Sequence, residues 1–163
     1  MKEWLALYKY RGKESMREVV GPMLMHAYQL HRKVEAAPAA EFLSYVPLSR
    51  ERFGERGFNQ AEQLARELGL RTGVPVIPLL ERIRHTGKMS LKSRSDRLQD
   101  LRGVFRAESQ GSEWIRKACG RGPVRVYLID DVYTTGSTLN ECARTLIEPV
   151  GTPMEVCGIS WAR

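Results

Sequence analysis

The segment Leu128-Ile129-Asp130-Asp131-Val132-Tyr133-Thr134-Thr135-Gly136-Ser137-Thr138-Leu139 joins a short apolar run to a stretch with helical spacing. The apolar run, 126–129, lies between Gly122-Pro123 and two aspartates, which is typical of a strand buried on both faces at the centre of a parallel sheet. A helix should follow, since apolar residues recur three and four apart at Leu139, Cys142, Ala143 and Leu146. Pro149 is expected to end this helix. A strand that leads directly into a helix is the repeating unit of an α/β fold.

The sequence before this segment predicts further alternation of helices and strands. Residues 15–30 have the pattern of an amphipathic helix, which Gly21-Pro22 is expected to kink or restart. Residues 42–46 look like a short buried strand that Pro47 ends. Residues 61–68 should form a second helix, with Asn59 as its N-cap. The chain therefore favours an α/β sandwich.

The remaining segments are less regular. Residues 74–80 carry two prolines and are expected to be extended near a sheet edge, and 154–159 should form the final strand. The composition of 86–95 is that of a mobile loop, whereas 96–102 could form a short helix. Residues 108–122 read as a second loose stretch.

Length and composition bound the domain organisation. The 163 residues, 42% of them apolar and 28% charged, are enough for one compact domain and exclude a disordered chain. We therefore treat 1–163 as a single domain, with a helical N-terminal or hood part at 1–40 and a core at 42–163. Without an apolar run long enough for a signal or a membrane span, the expectation is a soluble, cytoplasmic protein with no membrane insertion.

Charge and side-chain chemistry point to phosphorylated partners. The net charge is +7, and the stretch 82–106 alone carries eight basic residues against two acidic ones, which favours polyanionic ligands. The three cysteines are odd in number and far apart, so neither a disulfide framework nor a CxxC metal site is expected. The histidines show no metal-binding spacing either, and no role is assigned to His26, His31 and His85.

The loop between the central strand and its helix predicts an anion site. A helix that follows a parallel strand presents unpaired backbone N–H groups at its N-terminus, and these favour a phosphate. Gly136 lets the backbone approach closely, and hydroxyl donors come from Thr134, Thr135, Ser137 and Thr138. Asp130 and Asp131 suit the hydroxyls of a sugar, or Mg²⁺ held through water. A sugar phosphate fits this set, although capping of the helix alone would also explain the hydroxyl residues.

The order of residues in this loop resembles the phosphoribosyl pyrophosphate (PRPP) motif of type I phosphoribosyltransferases. Two further segments are similar to the ComF family of competence proteins: Tyr8-Lys9-Tyr10-Arg11-Gly12-Lys13, and Val46-Pro47-Leu48-Ser49-Arg50 followed by Arg56-Gly57-Phe58-Asn59-Gln60-Ala61. Family members usually begin with a four-cysteine zinc module, so either a preceding segment is missing here or this branch lacks the module. The resemblance implies a type I phosphoribosyltransferase-like fold: a mostly parallel, five-stranded sheet with helices on both faces and a small hood.

The resemblance also implies roles for particular residues. The sugar hydroxyls of PRPP would contact Asp130 and Asp131, which would also hold Mg²⁺ through PRPP and water, and the 5′-phosphate would bind along 134–138. The pyrophosphate loop corresponds to Pro47, Leu48, Ser49 and Arg50. The acceptor or a nucleic acid would contact Arg56, Phe58, Asn59, Gln60, Lys88, Lys92, Arg94 and Arg97. For Asn59 and Phe58 the alternative is a helix cap beside a packed ring.

Two functions follow from the resemblance. The first is PRPP binding with transfer of the phosphoribosyl group to a nitrogen acceptor, a glycosyltransferase reaction in which Mg²⁺ neutralises the pyrophosphate. Some purine-specific relatives place an acid directly before Thr-Gly as a general base, where this chain has Thr134. The second is a non-catalytic accessory protein in DNA uptake that binds single-stranded DNA, with a competence helicase as partner by analogy. A homodimer is suggested by the fold family alone.

Overall fold

The computed structural model describes residues 15–34, 36–84, 100–150 and 154–162. Five helices and five strands are assigned in these ranges. In chain order they are α1 (Ser15–Val34), β1 (Ala40–Tyr45), α2 (Arg50–Arg56), α3 (Gln60–Thr72), β2 (Leu80–Arg82), β3 (Phe105–Ala107), α4 (Ser109–Cys119), β4 (Val124–Val132), α5 (Ser137–Val150) and β5 (Met154–Ala162).

The main sheet is parallel and has β4 at its centre. Its order is β1-β4-β5, with Ala40 opposite Val124 and Val124 opposite Met154. A single parallel bridge between Leu43 and Val76 adds an extended segment beside β1. β2 and β3 form a separate antiparallel pair. Within the described ranges the main sheet therefore has three strands, and the expected five-stranded sheet is not seen there.

Helices cover both faces of this sheet, because β4 is apolar on both sides. Tyr127 and Ile129, both 0% exposed, pack in a cluster with residues of α1 and α3. Val126 and Leu128, on the opposite face, pack in a second cluster with residues of α4 and α5. The expected α/β sandwich is confirmed, and β4 is the buried central strand that its sequence predicts.

Several other sequence predictions are confirmed. Strand β1 ends at Tyr45, two residues before Pro47, and the final strand begins at Met154 as expected. Asn59 is the N-cap of α3. The extended 74–80 segment contributes one bridge at Val76 and then the first residue of β2, so it is not one continuous strand. The predicted loop at 86–95 and most of the 96–102 helix lie outside the described residues.

Pro22 does not end or restart its helix, whereas the helix that Pro149 is predicted to end stops one residue after it. α1 continues through Pro22 as one helix, because Val20 and Leu24 on either side are each only 1% exposed. Burial of such side chains contributes about 1.5–3 kcal/mol each, which offsets the roughly 3 kcal/mol cost of an interior proline. Pro149 lies inside α5, which ends one residue later at Val150.

The expectation of a loose stretch at 108–122 is wrong, since most of it forms α4. The Glu108 side chain accepts a hydrogen bond from the Gly111 backbone N–H at 2.6 Å and so caps the helix. Ile115, 1% exposed, anchors the helix in the core. A glutamate cap and one buried aliphatic residue are weak sequence signals for a helix, and glycine and serine in the same stretch have low helix propensity. The helix was therefore not predicted.

No helix in the described part of the chain is long and apolar enough to cross a membrane.

Candidate functional site

The site is built first on the turn between β4 and α5. Gly136 has φ 76°, a left-handed conformation that glycine adopts without strain. Its carbonyl accepts the first helical hydrogen bond, from Asn140 N–H at 2.9 Å. The hydroxyls of Thr135 and Ser137 are 2.7 Å apart, so they orient each other beside the helix N-terminus. The turn is therefore preorganised around the end of the helix where an anion is favoured.

A pocket of about 150 Å³ lies beside this turn. It brings the carboxyl end of β4 together with the end of β1, helix α2, the start of α3 and the end of β2. Its lining residues are Val46, Pro47, Leu48, Arg52, Arg56, Asn59, Gln60, Ala61, Arg82, Asp130, Asp131, Val132 and Thr138. Three arginines and two aspartates thus line one small cavity.

Asn59 has a structural role in this pocket. Its Oδ1 accepts from the Ala61 backbone N–H at 3.1 Å, and its Nδ2 donates to the Val46 carbonyl at 3.0 Å. The residue is 6% exposed. Both ends of the amide are engaged, and the side chain joins the start of α3 to the end of β1.

Gln60 is a pocket residue whose side-chain amide nitrogen is not used within the described part of the chain. Its Oε1 accepts from Arg56 Nη1 at 3.0 Å, which fixes the orientation of the amide. Its Nε2 is buried and has no hydrogen-bond partner among the described residues, and Gln60 is only 1% exposed. A buried donor left unpaired costs about 1–3 kcal/mol, so an acceptor atom of a ligand in this pocket would relieve that cost.

Arg52 and Arg82 are pocket residues that sequence reasoning did not single out. Arg82 is held between two elements, since its guanidinium lies 5.6 Å from the centre of the Phe105 ring. Burial, and next the nearby charge of Arg52, lower the pKa of Arg82. Two cations that destabilise each other in a partly buried cavity favour an anion between them. The sequence does not show that the two residues meet, because each reaches the pocket from a different segment.

Comparison with known proteins gives consistent matches over most of the chain. The chain is 35% identical over 149 residues, 91% of its length, to competence protein ComFC of Bacillus subtilis. It is 31% identical over 150 residues, again 91% of its length, to competence protein ComFC of Streptococcus pneumoniae. It is 28% identical over 156 residues, or 95% of its length, to competence protein F of Haemophilus influenzae. The chain belongs to the ComF/ComFC family.

The match does not extend over the whole of these relatives. The chain spans 54% of the Bacillus protein, 57% of the Streptococcus protein and 65% of the Haemophilus protein. No protein-family model matches the chain.

The structure of this ComF-family chain places eight of the fifteen predicted site residues in its described ranges in the lining of this pocket. From the predicted pyrophosphate loop, Pro47 and Leu48 line the pocket, whereas the Ser49 hydroxyl accepts from the Arg52 backbone N–H at 3.4 Å and caps α2. Arg50 is exposed on the first turn of α2 and does not line the pocket. Arg52, two residues further along α2, does line the pocket.

The residues predicted to contact the acceptor also divide into some that line the pocket and some that do not. Arg56, Asn59 and Gln60 line the pocket, whereas Phe58 is half-buried and does not. Gly57 ends α2 with φ 75°, which allows the tight turn into α3. The four remaining basic candidates lie outside the described residues: Lys88, Lys92, Arg94 and Arg97.

The predicted PRPP-binding residues of this ComF-family chain lie in a continuous arc. Asp130, Asp131 and Thr138 line the pocket. Thr134 is exposed, Thr135 is half-buried, and Gly136 and Ser137 are buried at the start of α5. These four residues lead into Thr138 at the helix N-terminus, and none of them is among the lining residues of the pocket.

The two aspartates offer oxygen donors of the kind that Mg²⁺ prefers. Both are half-buried, and one oxygen of Asp130 accepts from the Asp131 backbone N–H at 2.9 Å. Such partly solvated carboxylates suit a cation that keeps several waters and is shared with a phosphate ligand. The residues present therefore fit Mg²⁺ bound through water and ligand.

Proposed function

We propose that this chain binds PRPP together with Mg²⁺ and that it serves DNA uptake, as the names of its competence-protein relatives indicate for those proteins. The observation that carries the proposal is the pocket itself. It places two carboxylates, three arginines and one unpartnered buried amide donor beside a helix N-terminus. This combination matches a ligand with a hydroxylated sugar and several phosphate groups.

Each part of the ligand then has a chemical counterpart in the pocket. Asp130 and Asp131 accept hydrogen bonds from the ribose hydroxyls, and the 134–138 turn donates N–H and O–H groups to the 5′-phosphate. Arg52 and Arg82 bind the pyrophosphate, and Gln60 Nε2 donates to one of its oxygens. Mg²⁺ would supply charge neutralisation of the pyrophosphate.

The same arrangement suits phosphoribosyl transfer to a nitrogen nucleophile. In that reaction the bond from the ribose anomeric carbon to pyrophosphate breaks, a carbon–nitrogen bond forms, and the acceptor loses a proton. Positive charge develops on the ribose and negative charge on the leaving group. Carboxylates at the sugar end and arginines at the leaving-group end therefore favour the transition state.

Calorimetric titration with PRPP and Mg²⁺ tests the binding site. Asp131→Asn removes a charged acceptor, and Thr135→Ala removes a hydroxyl at the phosphate end. Glu113→Gln, at an exposed position of α4, removes the same charge and is the matched control. Loss of a hydrogen bond to a charged group costs about 1.5–3 kcal/mol, so Asp131→Asn should weaken binding by about 10- to 150-fold. Absence of binding to the native chain, or equal binding by Asp131→Asn and the control, would refute the site.

A second pair of variants tests whether pyrophosphate binds at the pocket seen in the structure or at the loop 47–50 predicted from the sequence. Arg52→Ala should weaken binding of inorganic pyrophosphate, because its guanidinium lines the pocket. Arg50→Ala, two residues away and exposed, should leave that binding unchanged. The reverse result would move the pyrophosphate site to the first turn of α2.

Single-stranded DNA is the second candidate ligand, favoured by exposed arginines next to the pocket. Arg84, Arg102 and Arg106 are exposed on or beside the β2-β3 pair, and Arg84 donates to the Arg102 carbonyl across it. If about five basic residues contact DNA phosphates, the logarithm of affinity for single strands should fall with the logarithm of salt concentration at a slope of about −3.5. Fluorescence anisotropy over a range of salt concentrations measures this slope, and a flat dependence would exclude the DNA role.

A further inference from the structure

A second group of chemically active side chains lies near the start of β5, opposite Arg125 and Tyr127, whereas the pocket lies at the carboxyl end of β4. His31 near the end of α1 meets Glu155 and Cys157 of β5, and one potential ligand atom of each lies within 4.8 Å of the other two. Glu155 and Cys157 are two residues apart on a strand, so their side chains point to the same face. α1 packs against β5 and brings His31 to that face.

The orientation of His31 is restricted by its neighbours. Its Nδ1 lies 3.2 Å from the Tyr127 hydroxyl, and the two rings are in edge contact with centroids 5.5 Å apart. Tyr127 lies directly opposite Cys157 in the sheet. A metal-binding histidine commonly has its ring held by a neighbouring group in this way.

Glu155 is also held by a second partner. Arg125 Nε donates to Glu155 Oε2 at 2.7 Å, and Cys157 also forms a side-chain hydrogen bond with this carboxylate. Arg125 also lies 4.0 Å from Glu41, and a second carboxylate therefore balances the guanidinium charge.

Imidazole nitrogen, thiolate sulfur and carboxylate oxygen are the three protein ligand types that zinc takes. Tetrahedral zinc with bonds of about 2.0–2.3 Å places its ligand atoms roughly 3.3–3.7 Å apart. The present spacing is up to about an ångström wider than that. Closing this difference requires the Glu155 side chain, which is 49% exposed, to shift against its hydrogen bond with Arg125.

We propose that His31, Glu155 and Cys157 form a binding site for one zinc ion, with a solvent molecule as fourth ligand. The Cys157 thiol loses its proton to solvent as the sulfur–zinc bond forms, so binding weakens as pH falls. The ion ties the end of α1 to β5. This site is independent of the pocket aspartates and of the proposed PRPP binding.

Titration of the native chain with Co²⁺, followed by displacement with Zn²⁺, tests the proposal. Cobalt bound by a thiolate gives a sulfur-to-metal charge-transfer band that oxygen-only sites such as the two pocket aspartates do not produce. The band should reach its maximum at one Co²⁺ per chain, disappear when Zn²⁺ is added, and be absent in Cys157→Ser and His31→Ala. Matched controls are Cys119→Ser and His26→Ala, which change the same residue types outside the cluster and should keep the band.

A measurement on the native chain avoids any dependence on whether the variants fold. Cys157 should be alkylated more slowly when Zn²⁺ is present, as mass spectrometry of the peptides would show. Cys119, half-buried at the end of α4, should react at the same rate with and without Zn²⁺. A missing thiolate band, or equal alkylation of Cys157 in both conditions, would overturn the proposal.

Discussion

Replacing Asn59 by alanine should destabilise the fold, because this one side chain joins α3 to the end of β1. Loss of the N-cap bond to Ala61 costs about 1 kcal/mol. The bond to the buried Val46 carbonyl adds about 1–3 kcal/mol when it is lost. Asn59 borders the pocket, so water can reach the vacated space and the second cost should fall at the lower end. We therefore expect a total loss of about 2 kcal/mol.

Thermal and urea unfolding monitored by circular dichroism measure this loss. For a chain of this length, about 2 kcal/mol lowers Tm by roughly 4–8 °C. Asn59→Ser keeps an N-cap acceptor and loses only the reach to Val46, so it should recover about 1 kcal/mol relative to alanine. Asn140→Ala on the exposed face of α5 is the matched control and should leave Tm unchanged.

The opposing hypothesis is that Asn59 contacts the acceptor or another ligand. It requires Asn59→Ala to retain the native Tm while ligand binding is lost. That result would refute the structural role, since the two amide hydrogen bonds would then contribute nothing measurable to stability.

Three further variants test other parts of the fold. Gly136→Ala should cost about 1–2 kcal/mol because of its positive φ, and its new Cβ would lie 2.8 Å from the Tyr133 hydroxyl; urea unfolding measures the loss, and an unchanged midpoint would contradict it. The hydrogen bond from Arg144 is the main reason that the pKa of Glu141 is lowered, so the stability it contributes is present at neutral pH and is lost as pH falls below about 4.3. Glu141→Gln should therefore show a smaller decrease in stability between neutral and acid pH, and an unchanged pH dependence would rule this out. Leu128→Ala should cost about 2–5 kcal/mol, since the side chain is 1% exposed in the core; a Tm within two degrees of native would argue against that packing.

The parts of the fold that could be predicted are those in which local chemistry and long-range packing agree. The apolar run of β4 is bounded by turn residues and is buried on both faces, so its position in the sheet follows from its composition alone. Asn59 before an apolar stripe marks the start of α3 for a similar reason. The turn from Asp130 to Thr138 could be located from the sequence because one continuous segment carries all the groups of the proposed anion site.

The parts that could not be predicted depend on residues that are distant in sequence. Arg52 and Arg82 enter the pocket from α2 and β2, and although each lies in or beside a segment predicted to bind anions, the sequence does not indicate that the two meet in one pocket. His31 and Cys157 come together only because α1 packs on β5. Their sequence spacing resembles no metal motif, and so the sequence assigned neither residue a role.

The register of the main sheet has a consequence for how the chain folds during synthesis. β1 pairs with β4, Ala40 opposite Val124, and β4 in turn pairs with β5 at the end of the described chain. Parallel pairing between such distant segments forms late and slows folding. Until β4 has left the ribosome, β1 lacks its partner strand and the apolar face of α3 has no complete sheet to pack against. We expect this nascent state to be the one that depends on chaperones.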